Sequence, residues 1–523
     1  MNLHTIDIAI FFVYVIGLLC LALYISREEK NHERNTKDYF LASKSLPWWA
    51  IGASLIASNI SAEQIIGMSG SGYILGLGIA SYEWMAALTL LIVGKYFLPI
   101  FLKNEIYTMP QYLEQRFDSR VRTIMAVFWL AVYVFVNLTA VLWLGGLAIE
   151  TIAGVDIVYG MVFLGLFSIA YSLYGGLKAV AYTDIIQVVL LVFGGLVLTY
   201  ISLDLVSEGN GLIAGFSILT EQMPEKFDMI FSPDSPHYAN LPGLSVLIGG
   251  LWIMNLSYWG FNQYIIQRAL AAKDLKEAQK GIAFAAYLKL LVPFFVVIPG
   301  IAAAILFADL ERPDEAYPSL MNLMPVGLKG LVFAALVAAI VSSLASMCNS
   351  VSTIFTMDVY AHYKKDASQT HYVTVGRIAS LVALIIAMLC ARPLLGKFDQ
   401  AFQYIQEFTG FFTPGIVVIF LLGMFWKTMN ANGAIVAAIG SAILSFALKF
   451  MLPTIPFMDR VGLVFLLCLG LSIIVSKLTQ QNSQNENSET VSLDEISFKT
   501  ETSFNVLSLS VIIILIAFYA AWW

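Results

Sequence analysis

Apolar residues in this chain fall in long blocks separated by short polar stretches. A helix needs about 20 such residues to cross a hydrocarbon core of about 30 Å. Fourteen blocks meet that length and predict membrane-spanning helices near 6–26, 47–70, 78–102, 122–150, 155–174, 183–207, 244–267, 278–307, 325–359, 372–391, 398–425, 432–452, 457–476 and 504–522. The first block has no basic residue ahead of it and is followed by Arg27, Lys30, Arg34 and Lys37. A cleaved export signal carries its positive charge in front, so this block reads as a retained helix running from outside to inside. On that basis twenty of the 29 basic residues fall on the inner side and six on the outer, the expected bias for inner loops. An odd number of spans would scramble the split. Both termini are therefore expected outside.

Composition sharpens the class. The chain has 523 residues, 59% hydrophobic and 12% charged, against about 45–50% and about 25% in soluble domains. A soluble enzyme, a nucleic-acid binder and a disordered scaffold are excluded. The net charge of −6 says little about partners, because placement outweighs the sum. The four cysteines (Cys20, Cys348, Cys390, Cys468) are scattered without a C-x-x-C pair, which argues against a disulfide framework or a thiolate metal site. The polar stretches include an external loop near 208–243 and an internal linker near 478–503. None is long enough for a catalytic domain, so no enzyme is expected.

Polar groups at membrane depth are costly and mark function by default. The second span contains ASNISAEQIIGMSGSG, in which Asn59, Ser61, Glu63 and Gln64 crowd together, and the backbone is expected to unwind near 57–64. The seventh contains IMNLSYWGFNQYIIQ, with Asn255, Ser257, Gly260, Asn262, Gln263 and Gln267 interrupting an apolar run. Interrupted helices at matching positions of two halves point to an inverted-repeat transporter with a site at the breaks. The repeats would be 47–207 and 244–425, preceded by 1–46 and followed by three helices in 426–523. Two merely kinked helices remain the alternative.

Glu83 and Lys289 are opposite charges inside spans. A buried ion pair seldom recovers its desolvation cost, so the pair is either a structural bridge or part of a solute cavity. A sugar hydroxyl both donates and accepts, which suits a carboxylate, an ammonium and the carboxamides of Asn59, Gln64, Asn255 and Gln406 together. Tyr82, Tyr258, Trp259, Met68 and Phe402 supply apolar faces for a ring. In AAIVSSLASMCNS, Ser342 and Ser343 are adjacent hydroxyls at mid-depth. With carbonyls from the unwound second span they would form a hard-oxygen site for sodium; simple helix packing is the other reading.

SLIASNISAEQIIGMSGSGY (54–73), SYEWM (81–85), YGGLKAVAYTDIIQ (174–187), NLSYWGFNQYIIQRAL (255–270), AAIVSSLASMCNS (338–350) and FQYIQEFTG (402–410) together resemble the sodium:solute symporter family. Within it they are most similar to the bacterial sodium/galactose (sodium/glucose) branch. The resemblance implies an all-α polytopic protein of about 14 helices. Its core would be a leucine-transporter-type five-plus-five inverted repeat with two broken helices, moving solute by alternating access. It implies sugar contacts from Asn59, Gln64, Glu83, Asn255, Lys289 and Gln406, and Tyr258 stacking as an inner gate beside Trp259. Met68, Tyr82 and Phe402 would close the outer side. The sodium ligands would be backbone oxygens of Ala57, Ile60 and Ala339 with the hydroxyls of Ser342 and Ser343, and Asp184 would attract the ion on its exit path. One departure is Ala86, where the galactose relatives place a serine.

The expected function is sodium-driven import of a monosaccharide across a bacterial inner membrane. The partners are the sugar, sodium and the bilayer, with no nucleic acid. The competing readings are a symporter for another polar solute, such as inositol or sialic acid, and a non-transporting sodium-dependent sensor or channel.

Overall fold

The computed structural model describes residues 3–25, 44–106, 108–396, 401–480 and 493–523, without the side chains of 22, 23, 25 and 171–180. Arg27, Lys30, Arg34 and Lys37, the side chains of the YGGLKAV stretch and most of the 478–503 linker lie outside the described residues. The described chain is helical, with one isolated bridge between Leu46 and Ala272. The helices used below are α1 (Thr5–Ile25), α2 (Trp48–Asn59), α3 (Met68–Leu75), α4 (Ser81–Ile92), α5 (Ser119–Val132), α6 (Thr139–Ala153), α7 (Ile157–Val206), α8 (Gly250–Leu256) and α9 (Gln263–Leu270). They continue with α10 (Leu275–Leu306), α11 (Leu328–Thr353), α12 (Gln369–Leu395), α13 (Ala401–Thr409), α14 (Thr413–Phe425), α15 (Ala431–Met451), α16 (Phe457–Leu478) and α17 (Thr502–Ala521).

Polarity is inverted relative to a soluble protein. Val13, Tyr159 and Leu389 are 72–73% exposed, while Glu83, Lys289, Asp184 and Arg268 are buried. A large exposed apolar surface marks a membrane-facing protein. Nine helices among the described residues are long and apolar enough to cross a membrane, ten if α13 and α14 count as one bent span. Fourteen blocks were expected. The difference arises partly because broken helices are too short to qualify singly: α2 has 12 residues and α8 has seven.

Helix α7 runs for 50 residues, which as a straight rod would span about 75 Å. The packing shows that it folds back. Phe11 lies between Phe163 and Phe333, with ring centroids 6.3 and 5.3 Å away, while Gly194 packs against Val332. Residues 163 and 194 thus reach the same end of α11. The run makes two passes, corresponding to the expected spans 155–174 and 183–207.

The two termini lie on one face. Asp7 in α1 accepts the backbone N–H groups of Gly327 (2.7 Å) and Gly330 (2.9 Å), capping the start of α11. At the other end, Trp522 O accepts from Met229 N in the 208–243 segment. Lys226 of that segment donates to Tyr73 O and Ile74 O, and Tyr73 Oη in turn donates to Phe307 O. These bonds join the 208–243 and 307–327 segments over the end of α3. The 208–243 segment is itself partly helical, over Leu212–Gln222 and Pro224–Phe227.

Helix α3 is pressed closely onto α10. A Cβ on Gly300 would sit 2.2 Å from Ser69 O. Gly300→Ala is therefore expected to destabilise the protein by about 1–3 kcal/mol through overpacking, read as a lower midpoint of thermal unfolding in detergent.

Candidate functional site

The first break follows from the polar cluster. Helix α2 ends as Ile60 N bonds Ile56 O and the Ile60 backbone leaves helical geometry at ψ 85°. Ser61 Oγ then accepts from Glu63 N (3.3 Å) and starts the next helix, whose first turn, Glu63–Gly67, is π-wound. The interruption at 60–62 falls within the expected 57–64. The second break is at Asn262, extended at ψ 123° between the π turn Ser257–Phe261 and α9. Tyr133 braces it: its hydroxyl donates to Asn262 Oδ1 (2.5 Å) and accepts from Gln263 N (3.0 Å). A third interruption, between α13 and α14, bends that span by 45°. The sequence reading had it as one continuous span.

Glu83 and Lys289 sit on the helices that follow the two broken ones. Lys289 Nζ donates to Glu83 Oε2 at 2.5 Å, with side chains 0% and 4% exposed. It also donates to Asn59 Oδ1 and lies 4.8 Å from the Trp259 ring centroid. Pro293 lacks the N–H that would bond the Lys289 carbonyl, which loosens α10 at the lysine. Asn59 Nδ2 donates to Tyr258 Oη at 3.0 Å, and Tyr258 Oη bonds Tyr264 Oη at 2.5 Å. A continuous hydrogen-bonded line therefore joins the ion pair to both breaks.

Above this line is a cavity of about 70 Å³. Every residue expected to contact or gate the solute lines it except Lys289, which lies behind Glu83 and Asn59. Tyr82 meets Phe402 edge-on at 5.2 Å on one side, with Met68 beside them; Tyr258 meets Trp259 at 5.2 Å on the other. Ala86 lines the wall, so a serine at that position would face the cavity. The decisive feature is unpaired polarity. Gln64 Oε1, Tyr82 Oη, Asn137 Oδ1, Asn255 Nδ2 and Thr409 Oγ1 line the cavity, are buried and have no protein partner. Buried polar atoms without partners are rare in folded proteins. Here they belong to residues that line one cavity.

Sequence reasoning missed Glu63 and Asn137 as cavity residues. The usable signal was an amide at membrane depth, here in the π turn Tyr133–Leu138, a geometry common at functional sites.

The hydroxyl cluster lies beside the first break. Ser343 Oγ donates to Ser58 O (3.2 Å), joining α11 to the end of α2. Ser342 Oγ donates to Asp184 Oδ1, and Ser54 Oγ donates to Asp184 Oδ2 (2.7 Å). Ala57, Ile60 and Ala339 are fully buried. A hydroxyl that donates its proton keeps lone pairs for a cation, and hard oxygen ligands fit sodium by the logic that governs other hard cations. Among the described residues no group of three or more His, Cys, Asp or Glu is placed to hold a metal, so oxygens of hydroxyls and carbonyls are the local donors. Arg268, one residue past the expected end of the seventh span, is buried in α9. Its Nε donates to Ser54 Oγ (3.3 Å) and its Nη2 to Ser346 Oγ (2.5 Å). The helix continues past the expected end at 267, which draws the guanidinium into the bundle.

The geometry has relatives. The sodium:solute symporter family profile matches residues 39–440. A sodium/glucose cotransporter of Vibrio parahaemolyticus is 51% identical, covering 100% of this chain and 99% of that one. The human sodium/myo-inositol cotransporter 2 is 35% identical over 84% of this chain and 69% of its own. Among solved structures, a substrate-bound, outward-open Na+-coupled sialic acid symporter superposes with a TM-score of 0.79 at 25% identity, covering 91% of this chain and 98% of that one. The nucleobase-cation symporter Mhp1 superposes with a TM-score of 0.54 at 15% identity, over 85% and 96%, a likeness of fold. With its two broken helices, its buried ion pair and its hydroxyl cluster, this chain belongs to the sodium:solute symporter family.

Proposed function

We propose that this protein imports a monosaccharide of the galactose/glucose class by sodium symport with alternating access. One observation carries the reading: a cavity lined by carboxamides, hydroxyls and aromatic rings sits against a buried Glu83–Lys289 pair where two helices break. Such a lining suits a neutral polyol, whose hydroxyls both donate and accept. The identity to a sodium/glucose cotransporter over the full chain supports the same solute class.

In this reading Asn59, Gln64, Glu83, Asn255, Lys289 and Gln406 bind the sugar. Met68, Tyr82 and Phe402 close over it, and Tyr258 with Trp259 supports its inner face. Sodium binds the carbonyl oxygens of Ala57, Ile60 and Ala339 and the hydroxyls of Ser342 and Ser343; Asp184 receives it on release. Sodium would tie α2 to α11 and fix Asn59 and Gln64 around the break. It thereby raises sugar affinity, and linkage requires the sugar to raise sodium affinity equally. One charge moved down 100 mV supplies about 2.3 kcal/mol, enough to concentrate a neutral solute roughly fifty-fold. The repeats would be 47–207 and 244–425, in a bacterial inner membrane with both termini external.

The test is uptake of labelled galactose and glucose into proteoliposomes. Accumulation is expected only with an inward sodium gradient; equal uptake with potassium would reject the coupling. Competition by unlabelled inositol and sialic acid separates solute classes.

A further inference from the structure

The helix that carries Glu83 has a second packed face. In SYEW (81–84), Tyr82 and Glu83 line the cavity together with Ala86. Ser81 and Trp84 are three residues apart and so share another face of α4. That face meets α17, a helix outside both proposed repeats. Tyr519 Oη donates to Ser81 Oγ at 3.0 Å. The Trp84 ring stacks on Phe518 at 4.7 Å, lies nearly parallel to Trp522 at 6.4 Å and meets Tyr519 edge-on at 6.0 Å. Trp522 is held in turn through its carbonyl, which accepts from Met229 N at 3.0 Å. Trp84 is fully buried, whereas Leu509, Ile513 and Ile516 of α17 are exposed.

Trp84 reaches the lysine side of the ion pair as well. Its Nε1 donates to Leu290 O at 3.4 Å, the carbonyl next to Lys289. This turn of α10 benefits from outside support, because Pro293 has no N–H to give the Lys289 carbonyl. Phe518 also meets Phe294 edge-on at 5.6 Å on the same stretch. One indole therefore follows Glu83 in α4 and bonds the carbonyl that follows Lys289 in α10. Groups that bind a solute must be held to within about 0.5 Å by well-packed neighbours. The flexible four-carbon stem of a lysine does not supply that precision by itself.

We infer that Trp84, clamped by Phe518, Tyr519 and Trp522, is a positioning residue that fixes Glu83 and Lys289 relative to each other. This rests on the sugar reading. Trp84 does not line the cavity; it acts through the two backbones that carry the pair. Helix α17 thereby becomes a support of the solute site, not only an addition to the repeats.

The experiment is sodium-driven galactose uptake into proteoliposomes by the full chain, with thermal unfolding measured on the same preparations. Trp84→Phe keeps a ring against Phe518 and removes the indole N–H. Its galactose KM is expected to rise between about threefold and tenfold, the range one neutral hydrogen bond spans. The maximal rate should stay within about twofold, as for a change confined to solute binding. Trp84→Leu also loses the stack and should raise KM further. Tyr519→Phe removes only the bond to Ser81 and should raise KM about twofold to threefold; it carries the test if neither Trp84 variant folds. Phe504→Leu is the control. Phe504 packs on Gly94 at the other end of α17, so this change should lower the unfolding midpoint and leave the galactose KM as it was. Trp84 and Tyr519 variants that unfold earlier but keep the original KM overturn the inference, because packing alone gives that result. An equal rise in KM for Phe504→Leu also overturns it, since the effect would then be a general loosening of α17. So does a loss of maximal rate at unchanged KM. Absence of galactose and glucose uptake by the unsubstituted protein removes the sugar reading itself, and this inference with it.

Discussion

Glu83→Ala and Lys289→Ala are each expected to abolish sodium-driven sugar uptake, and the paired replacement should separate structure from function. The two side chains are almost fully buried and in contact at 2.5 Å. Removing one leaves an uncompensated charge in the bundle, a loss of about 3–5 kcal/mol. Each single variant should therefore unfold at lower temperature as well as fail to transport. Removing both deletes the stranded charge, so Glu83→Ala with Lys289→Ala is expected to regain most of the lost stability. Transport should stay absent, because the cavity then lacks the Glu83 carboxylate, and Asn59 loses the ammonium that orients its amide. Thermal unfolding and proteoliposome uptake on the same three preparations decide the matter. A stable double variant with normal uptake would make the pair a structural bridge and remove the centre of the proposed sugar site.

The second large effect is expected at Ser343. Its hydroxyl reaches Ser58 O across the gap between α11 and α2, so it belongs to the proposed ion site and to the joint that sodium would tighten. Ser343→Ala removes one oxygen ligand while leaving a side chain of similar size. The sodium concentration for half-maximal uptake should rise by about tenfold or more, equivalent to about 1.4 kcal/mol. By reciprocity the sugar affinity measured at low sodium should fall, while at saturating sodium it should approach the original value. An unchanged sodium activation curve would place the ion elsewhere. Uptake lost at every sodium concentration, with normal folding, would instead point to damage at the sugar site.

Particular residues show how far the sequence could be read. The breaks in the second and seventh spans were legible because amides within an apolar run have few benign explanations. The structure interrupts the backbone at 60–62 and at Asn262. Glu83 and Lys289 were legible as charges in apolar surroundings, although only packing shows that they touch. The bend between α13 and α14 was not legible. Its segment, FTGFFTPG, keeps an apolar profile, and the proline sits at the start of α14, where it is tolerated. Arg268 was misplaced because a charge after an apolar run normally marks a loop; the bundle instead supplies Ser54, Ser346 and Tyr264 O as partners. Asn137 was passed over because a single amide carries no periodic signal.

What the sequence determined by itself is the medium and the stations. The length and spacing of apolar blocks require a bilayer, the basic residues set the expected sidedness, and polar side chains in the blocks mark where a solute could be met. These properties are written in composition and local order, since the free energy of leaving water is close to a sum over residues. Tertiary structure decided everything that depends on two distant segments meeting. It set Lys289 on Glu83 and Asn59, Ser343 on Ser58, and Asp184 between Ser54 and Ser342. It also decided which buried polar atoms have partners and which have none. Pairing of a buried polar group depends on atoms within about 3 Å, and that distance is fixed by how the helices pack.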